Sequence, residues 1–176
     1  MMNMKCISHK YIMFVLIAIF FVAEKTLDAQ SSISGNYRSY FGEKLELRSD
    51  STFIYNWTFD LASSWSIGEW YKSDNFIFLK VTPVYDTLRV SDGRLNRELD
   101  SFVLSADQSS GVITIEDFVS SQLSSGGQLT DIRFDKLFRR NNKLFKVQEN
   151  GRLSRKRVRP IFGRKKRPTY FFRVKD

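Results

Sequence analysis

Between residues 52 and 70 the chain reads TFIYNWTFDLASSWSIGEW, with Phe53, Tyr55, Trp57 and Phe59 at every second position. Successive side chains of an extended strand point to opposite faces, so these four rings share one face. Ile54, Asn56, Thr58 and Asp60 take the other and are mostly polar. A polar segment over residues 61–64 leads into a second aromatic run, with Trp65, that ends in Gly68-Glu69-Trp70. The pattern predicts an antiparallel hairpin with one dry face and one wet face, and assigns Trp65 and Trp70 to the same aromatic face.

The first 29 residues read as an export signal. Lys5 and Lys10 form a positive start, residues 11–23 are an apolar run of 13, and Leu27-Asp28-Ala29 supplies small-residue cleavage chemistry before Gln30. A spanning helix needs about 20 apolar residues, which makes an uncleaved anchor the weaker alternative. Cleavage leaves a single domain over residues 30–176 and an exported protein, periplasmic or extracellular. The only cysteine, Cys6, and the only histidine, His9, both precede the apolar run. Cys6 therefore cannot be the lipidated first residue of a mature lipoprotein. Without imidazole or thiolate, the remaining chain can build no ordinary zinc site, Ser-His-Asp triad or cysteine nucleophile. No cofactor is expected.

Turn and strand signals alternate along the rest. Gly35-Asn36-Tyr37 opens an extended segment, and residues 43–48 alternate leucine with charge. Ser49-Asp50-Ser51 and residues 72–75 are turns, and residues 76–81 (FIFLKV) are apolar enough for a central strand. Pro83 interrupts before an extended segment over residues 84–90. Residues 91–100 read as a polar loop, residues 101–105 and 112–115 as short strands, and residues 120–128 as a surface loop. Asn141-Asn142 and Glu149-Asn150-Gly151 are hairpin turns, and residues 170–174 form a closing strand. Turns spaced about every 8–12 residues predict an all-β sandwich or barrel.

Charge divides this body in two. Residues 30–135 hold 9 basic and 15 acidic side chains, whereas residues 136–176 hold 16 basic and 2 acidic. A basic C-terminal hairpin region thus follows an acidic body.

The early Gly35-Asn36-Tyr37, the turn-to-strand sequence Ser49-Asp50-Ser51-Thr52-Phe53 and Gly68-Glu69-Trp70 resemble elements of the small secreted lipocalin-like barrels of bacteria. In lipocalins the Gly-x-Trp lies on the first barrel strand; here it falls on about the fourth. The resemblance implies an all-β fold, an antiparallel up-and-down barrel or a closely related meander, and such a barrel encloses one small ligand or is filled by its own side chains. It transfers no ligand-binding residue.

Three functional readings follow, and the first two are non-enzymatic. In the first, Tyr55, Trp57, Trp65 and Trp70 line a cup for a small apolar or amphipathic ligand, against the plainer use of the same rings as core. In the second, Arg155, Lys156, Arg157, Arg159, Arg164, Lys165, Lys166 and Arg167 bind an anionic membrane or envelope surface. Phe162, Tyr170, Phe171 and Phe172 nearby suit stacking on bases or sugars, although export disfavours nucleic acid. In the third, a pair among Asp60, Glu69, Asp74 and Asp86 performs glycoside hydrolysis, although no spacing selects such a pair. Asn56-Trp57-Thr58 matches a glycosylation sequon by chance in mid-strand, and no Gly-rich phosphate loop occurs.

Overall fold

The 52–70 stretch forms the predicted hairpin, β3 (Thr52–Phe59) and β4 (Ala62–Ser73), with a tight turn in which Asp60 takes a left-handed φ of 53°. The turn is tighter than the residue 61–64 segment suggested, because Asp tolerates positive φ and the ladder runs on to Phe59 opposite Ala62. The computed structural model describes residues 33–92, 97–123, 126–161 and 163–174. The expected export signal, residues 1–29, lies outside them. Residues Gly35–Asp176 form one compact unit.

Before the hairpin come β1 (Gly35–Arg38) and β2 (Glu43–Leu47); after it comes β5 (Phe76–Val81). The basic region adds β9 (Lys136–Arg140), β10 (Lys143–Lys146) and β13 (Phe171–Arg173). These eight strands close a barrel in the ring order β1-β2-β3-β4-β5-β9-β10-β13, which is also their order in the chain, and every neighbouring pair is antiparallel. It is therefore an up-and-down barrel at the level of topology. The closing strand expected at residues 170–174 is β13, which pairs with β1 on one side and β10 on the other.

Period-two alternation puts Leu45, Leu47, Phe53, Tyr55, Trp70, Ile77, Leu79, Leu137, Leu144 and Phe171 in the core, each at most 5% exposed. The hairpin register explains how such large rings fit: Phe53 faces Gly68, Tyr55 faces Ser66, and Trp57 faces Ser64. Large residues thus meet small ones across the ladder. A Cβ on Gly68 would lie 2.0 Å from the Lys80 carbonyl oxygen and 3.0 Å from Phe53 Cε1, so only glycine fits there.

Two insertions leave the barrel. The first, residues 82–135, carries β6 (Tyr85–Asp92), β7 (Arg97–Leu104) and β8 (Val112–Ile113) in a sheet of order β7-β6-β8, and the helix α1 (Ile115–Leu123). Two expectations need correcting here. Most of the supposed loop over residues 91–100 is strand, paired from Asp92↔Arg97 to Tyr85↔Leu104, because an ordered partner outweighs a polar sequence. The supposed surface loop at residues 120–128 begins as the end of α1. The overlooked start signal is a capping box. The Asp117 backbone N–H donates to Thr114 Oγ1 (3.2 Å), while the Asp117 carboxylate accepts from the Thr114 backbone N–H (3.3 Å).

The second insertion, residues 147–170, carries a short two-stranded ribbon, β11 (Arg157–Val158) and β12 (Arg167–Pro168). Its base is tied to the barrel by the Ser154 N–H donating to the Lys146 carbonyl (2.8 Å) and by the Val147↔Leu153 bridge.

Candidate functional site

The four residues expected to line a ligand cup do not share one face. Tyr55 and Trp70 point into the barrel at 5% and 1% exposure. Trp57 is half-buried and stacks on Phe59 (6.3 Å, 18° between planes), which is largely exposed. Trp65 is the correction. Its cross-strand partner is Asn56, and directly opposed residues share a face, so Trp65 lies on the outside of the barrel. There it is covered by the end of the first insertion. Its N–H donates to the Gly127 carbonyl (3.0 Å), its carbonyl accepts from the Leu129 N–H (2.7 Å), and its indole Nε1 donates to the Ala106 carbonyl (2.9 Å). Trp65 and Trp70 are five positions apart, so alternation along one strand puts them on opposite faces, which their grouping on one aromatic face overlooked.

Inside, the polar groups are committed to one another. Glu43 accepts from Ser39 Oγ (2.7 Å) and from the Tyr55 hydroxyl (3.2 Å), and is ion-paired to Lys146. The Lys146 ammonium also sits over the rings of Phe134 (4.6 Å) and Phe171 (5.1 Å). Phe134 meets Tyr55 edge-on at 5.3 Å and Phe171 at 5.4 Å, which completes an aromatic roof over the ion pair. Burial raises the Tyr55 phenol well above its ordinary range, and the Glu43 carboxylate that it faces adds to the effect, with Arg133 opposing. Burial likewise raises Tyr37, with Arg173 and Arg139 opposing. Sequence alternation had marked none of these ionic residues, because Glu43 and Lys146 are 103 positions apart.

The clefts lie outside this packed interior. The one of about 700 Å³ is lined by Asp131, Arg133, Asp135, Lys136, Gln148 and Glu149 among others, where the first insertion re-enters the barrel. The carboxylates considered for hydrolysis have other positions. Asp60 and Asp74 occupy left-handed turn positions, Glu69 faces outward, and buried Asp86 accepts from the Gly111 N–H (2.8 Å).

The eight expected anion-binding residues do come together. Arg155, Lys156, Arg157, Arg159, Arg164, Lys165, Lys166 and Arg167 all lie on the second insertion and all are exposed. Among the described residues none of them forms an ion pair. Arg157 donates to the Lys166 carbonyl across the ribbon (3.4 Å), and the Arg167 guanidinium lies 5.1 Å from the Tyr40 ring centre. No carboxylate occurs between residues 150 and 175. The ribbon is thus a projection of one sign.

The aromatics near these charges serve two ends. Phe171 is buried core, while Tyr170 packs on Phe145 (5.0 Å) and Phe172 on Tyr40 (5.0 Å) along the outer wall. Cations interleave with them: Lys143 stands over Tyr170 (4.9 Å) and Arg38 over Phe172 (5.2 Å). These rings anchor the ribbon and its flanks. Phe162 lies outside the described residues.

Comparison of the chain with protein-family models, with curated proteins and with solved structures returned no match.

Proposed function

We propose that the protein is a non-catalytic binding module of lipocalin-like architecture, in which a filled barrel holds a cationic ribbon against an anionic surface. The observation that carries this reading is the ribbon itself, with eight exposed cations on one short insertion and no carboxylate among them. Like charges crowded together repel one another and weaken the fold, so their concentration on one projection calls for a polyanionic partner. An exported protein would meet such a partner in the phosphate-bearing face of an envelope or membrane. Each Lys or Arg near an anionic lipid surface contributes about 1 kcal/mol at ordinary ionic strength. Four engaged at once give about 4 kcal/mol, close to a thousandfold in partitioning.

The test is co-sedimentation with vesicles of anionic phospholipid. Truncating the basic region is not a usable control, because residues 136–173 supply three of the eight barrel strands. Neutralising the exposed ribbon cations to Gln changes no residue of a barrel strand. We expect binding that falls steeply with salt and is lost in the neutralised variant. Binding that ignores salt, or survives neutralisation, would sink the proposal.

The carrier reading is carried by less. The volume it needs is occupied by Phe53, Tyr55, Trp70 and Phe171, and the polar groups among them are already paired. Stoichiometric uptake of an apolar fluorescent probe with quenching of Trp70 would restore it.

A further inference from the structure

We propose that the ribbon of one chain docks, head to tail, on the exposed face of the β7-β6-β8 sheet of a second copy. That sheet carries an apolar strip. Tyr85 stands opposite Leu104, and Thr87 stands opposite both Phe102 and Val112, so the five share one face. Although α1 packs against β6, the strip stays open: Phe102 is 77% exposed, Val112 62%, Tyr85 49% and Leu104 42%. Single exposed apolar residues are ordinary, but four in register on one small sheet make a patch of the kind that marks an interaction surface.

Charge says what covers it. The strip ends at the Arg89–Asp100 pair (3.7 Å). Asp107 lies in the connection to β8, and Glu116 and Asp117 open α1. Among the described side chains of residues 85–123, Asp100, Asp107, Glu116 and Asp117 are exposed against Arg89 alone, while Asp86 is buried. The ribbon is the complement, with nine basic and no acidic residues over residues 152–167 and an apolar tip at Ile161. Ile161 is 73% exposed. Within one chain the two surfaces are therefore not engaged with each other, since both apolar patches face water. An apolar tip flanked by cations and an apolar strip on a net-acidic insertion match across two molecules. Because the two surfaces differ, the contact is heterologous, and each bound copy still offers one free ribbon and one free face.

This inference does not rest on the anionic-surface reading. Where both hold, the two partners compete for the same ribbon.

The experiment uses the mature chain in lipid-free buffer, followed by sedimentation velocity at low and high salt. The face variant carries Phe102→Asp and Val112→Asp. The ribbon variant carries Ile161→Ser with Arg164→Glu, Lys165→Glu and Lys166→Glu. All six positions are exposed, and urea midpoints close to wild type establish that both variants fold; Phe102→Ser alone replaces the face variant if it does not. Wild type should associate progressively with concentration at low salt, and at least tenfold more weakly at high salt. Each variant alone should be monomeric. Their equimolar mixture should form a dimer that grows no further, since one partner brings an intact ribbon and the other an intact face. A wild type that stays monomeric at every concentration overturns the proposal, as does a mixture that stays monomeric. A ribbon variant that still dimerises does so too, because it identifies a face-to-face contact instead.

Discussion

Replacing Lys146 by Met isolates the part of the interior that hydrophobic patterning does not explain. Methionine keeps an unbranched stem against Phe134 and Phe171, so most packing survives while the ammonium is removed. Glu43 is left with two neutral donors, Ser39 and Tyr55, at a site where its side chain is only 10% exposed. Removing one partner of a buried ion pair costs about 3–5 kcal/mol, since the remaining charge stays desolvated. The Lys146 side chain is 21% exposed, so water reaches the vacated position and the low end, about 3 kcal/mol, is expected. With a urea slope of about 2 kcal/mol/M for a domain of this size, the midpoint falls by about 1.5 M. The assay is equilibrium urea unfolding followed by tryptophan fluorescence, which reports on Trp65 and Trp70 in the folded barrel. The decisive comparison is a cycle with Glu43→Gln. Removing both charges together should recover most of the loss and leave a coupling of at least about 2 kcal/mol. If Lys146→Met and Glu43→Gln simply add, the pair is not a buried unit and the reasoning fails.

Four further outcomes are expected. Gly68→Ala drives a Cβ to 2.0 Å from the Lys80 carbonyl oxygen and should cost more than about 3 kcal/mol in urea unfolding, or prevent folding. The folded phenol of Tyr55 is raised above its unfolded value of about 10, so its contribution is complete below that pH and is lost above it. Wild-type stability should therefore fall with pH beyond about 10, and Tyr55→Phe should flatten that fall at the expense of about 1 kcal/mol at neutral pH. Trp65→Phe removes the indole bond to the Ala106 carbonyl, and hydrogen exchange should rise near residues 126–129 while the β3–β4 ladder stays protected. Thr114→Ala deletes the α1 N-cap and should cost about 1 kcal/mol, read as lost helical signal or faster exchange over residues 115–123.

Local sequence determined what depends on neighbouring residues. Rings at every second position committed residues 52–59 to a strand with one buried flank, and the Asn141 and Gly151 turns fell where positive φ was needed. The clustering of eight cations was likewise legible, since the ribbon residues lie within 13 positions. Tertiary structure decided what pairs at a distance. A polar stretch became β7 because β6 supplied its hydrogen bonds, and Trp65 on the outer wall was covered because the first insertion bonded to it through Ala106, Gly127 and Leu129. Glu43 and Lys146 became a buried pair only when β2 and β10 took their places in one closed ring. Alternation specifies which side chains leave the water, and ring closure alone specifies which of them meet.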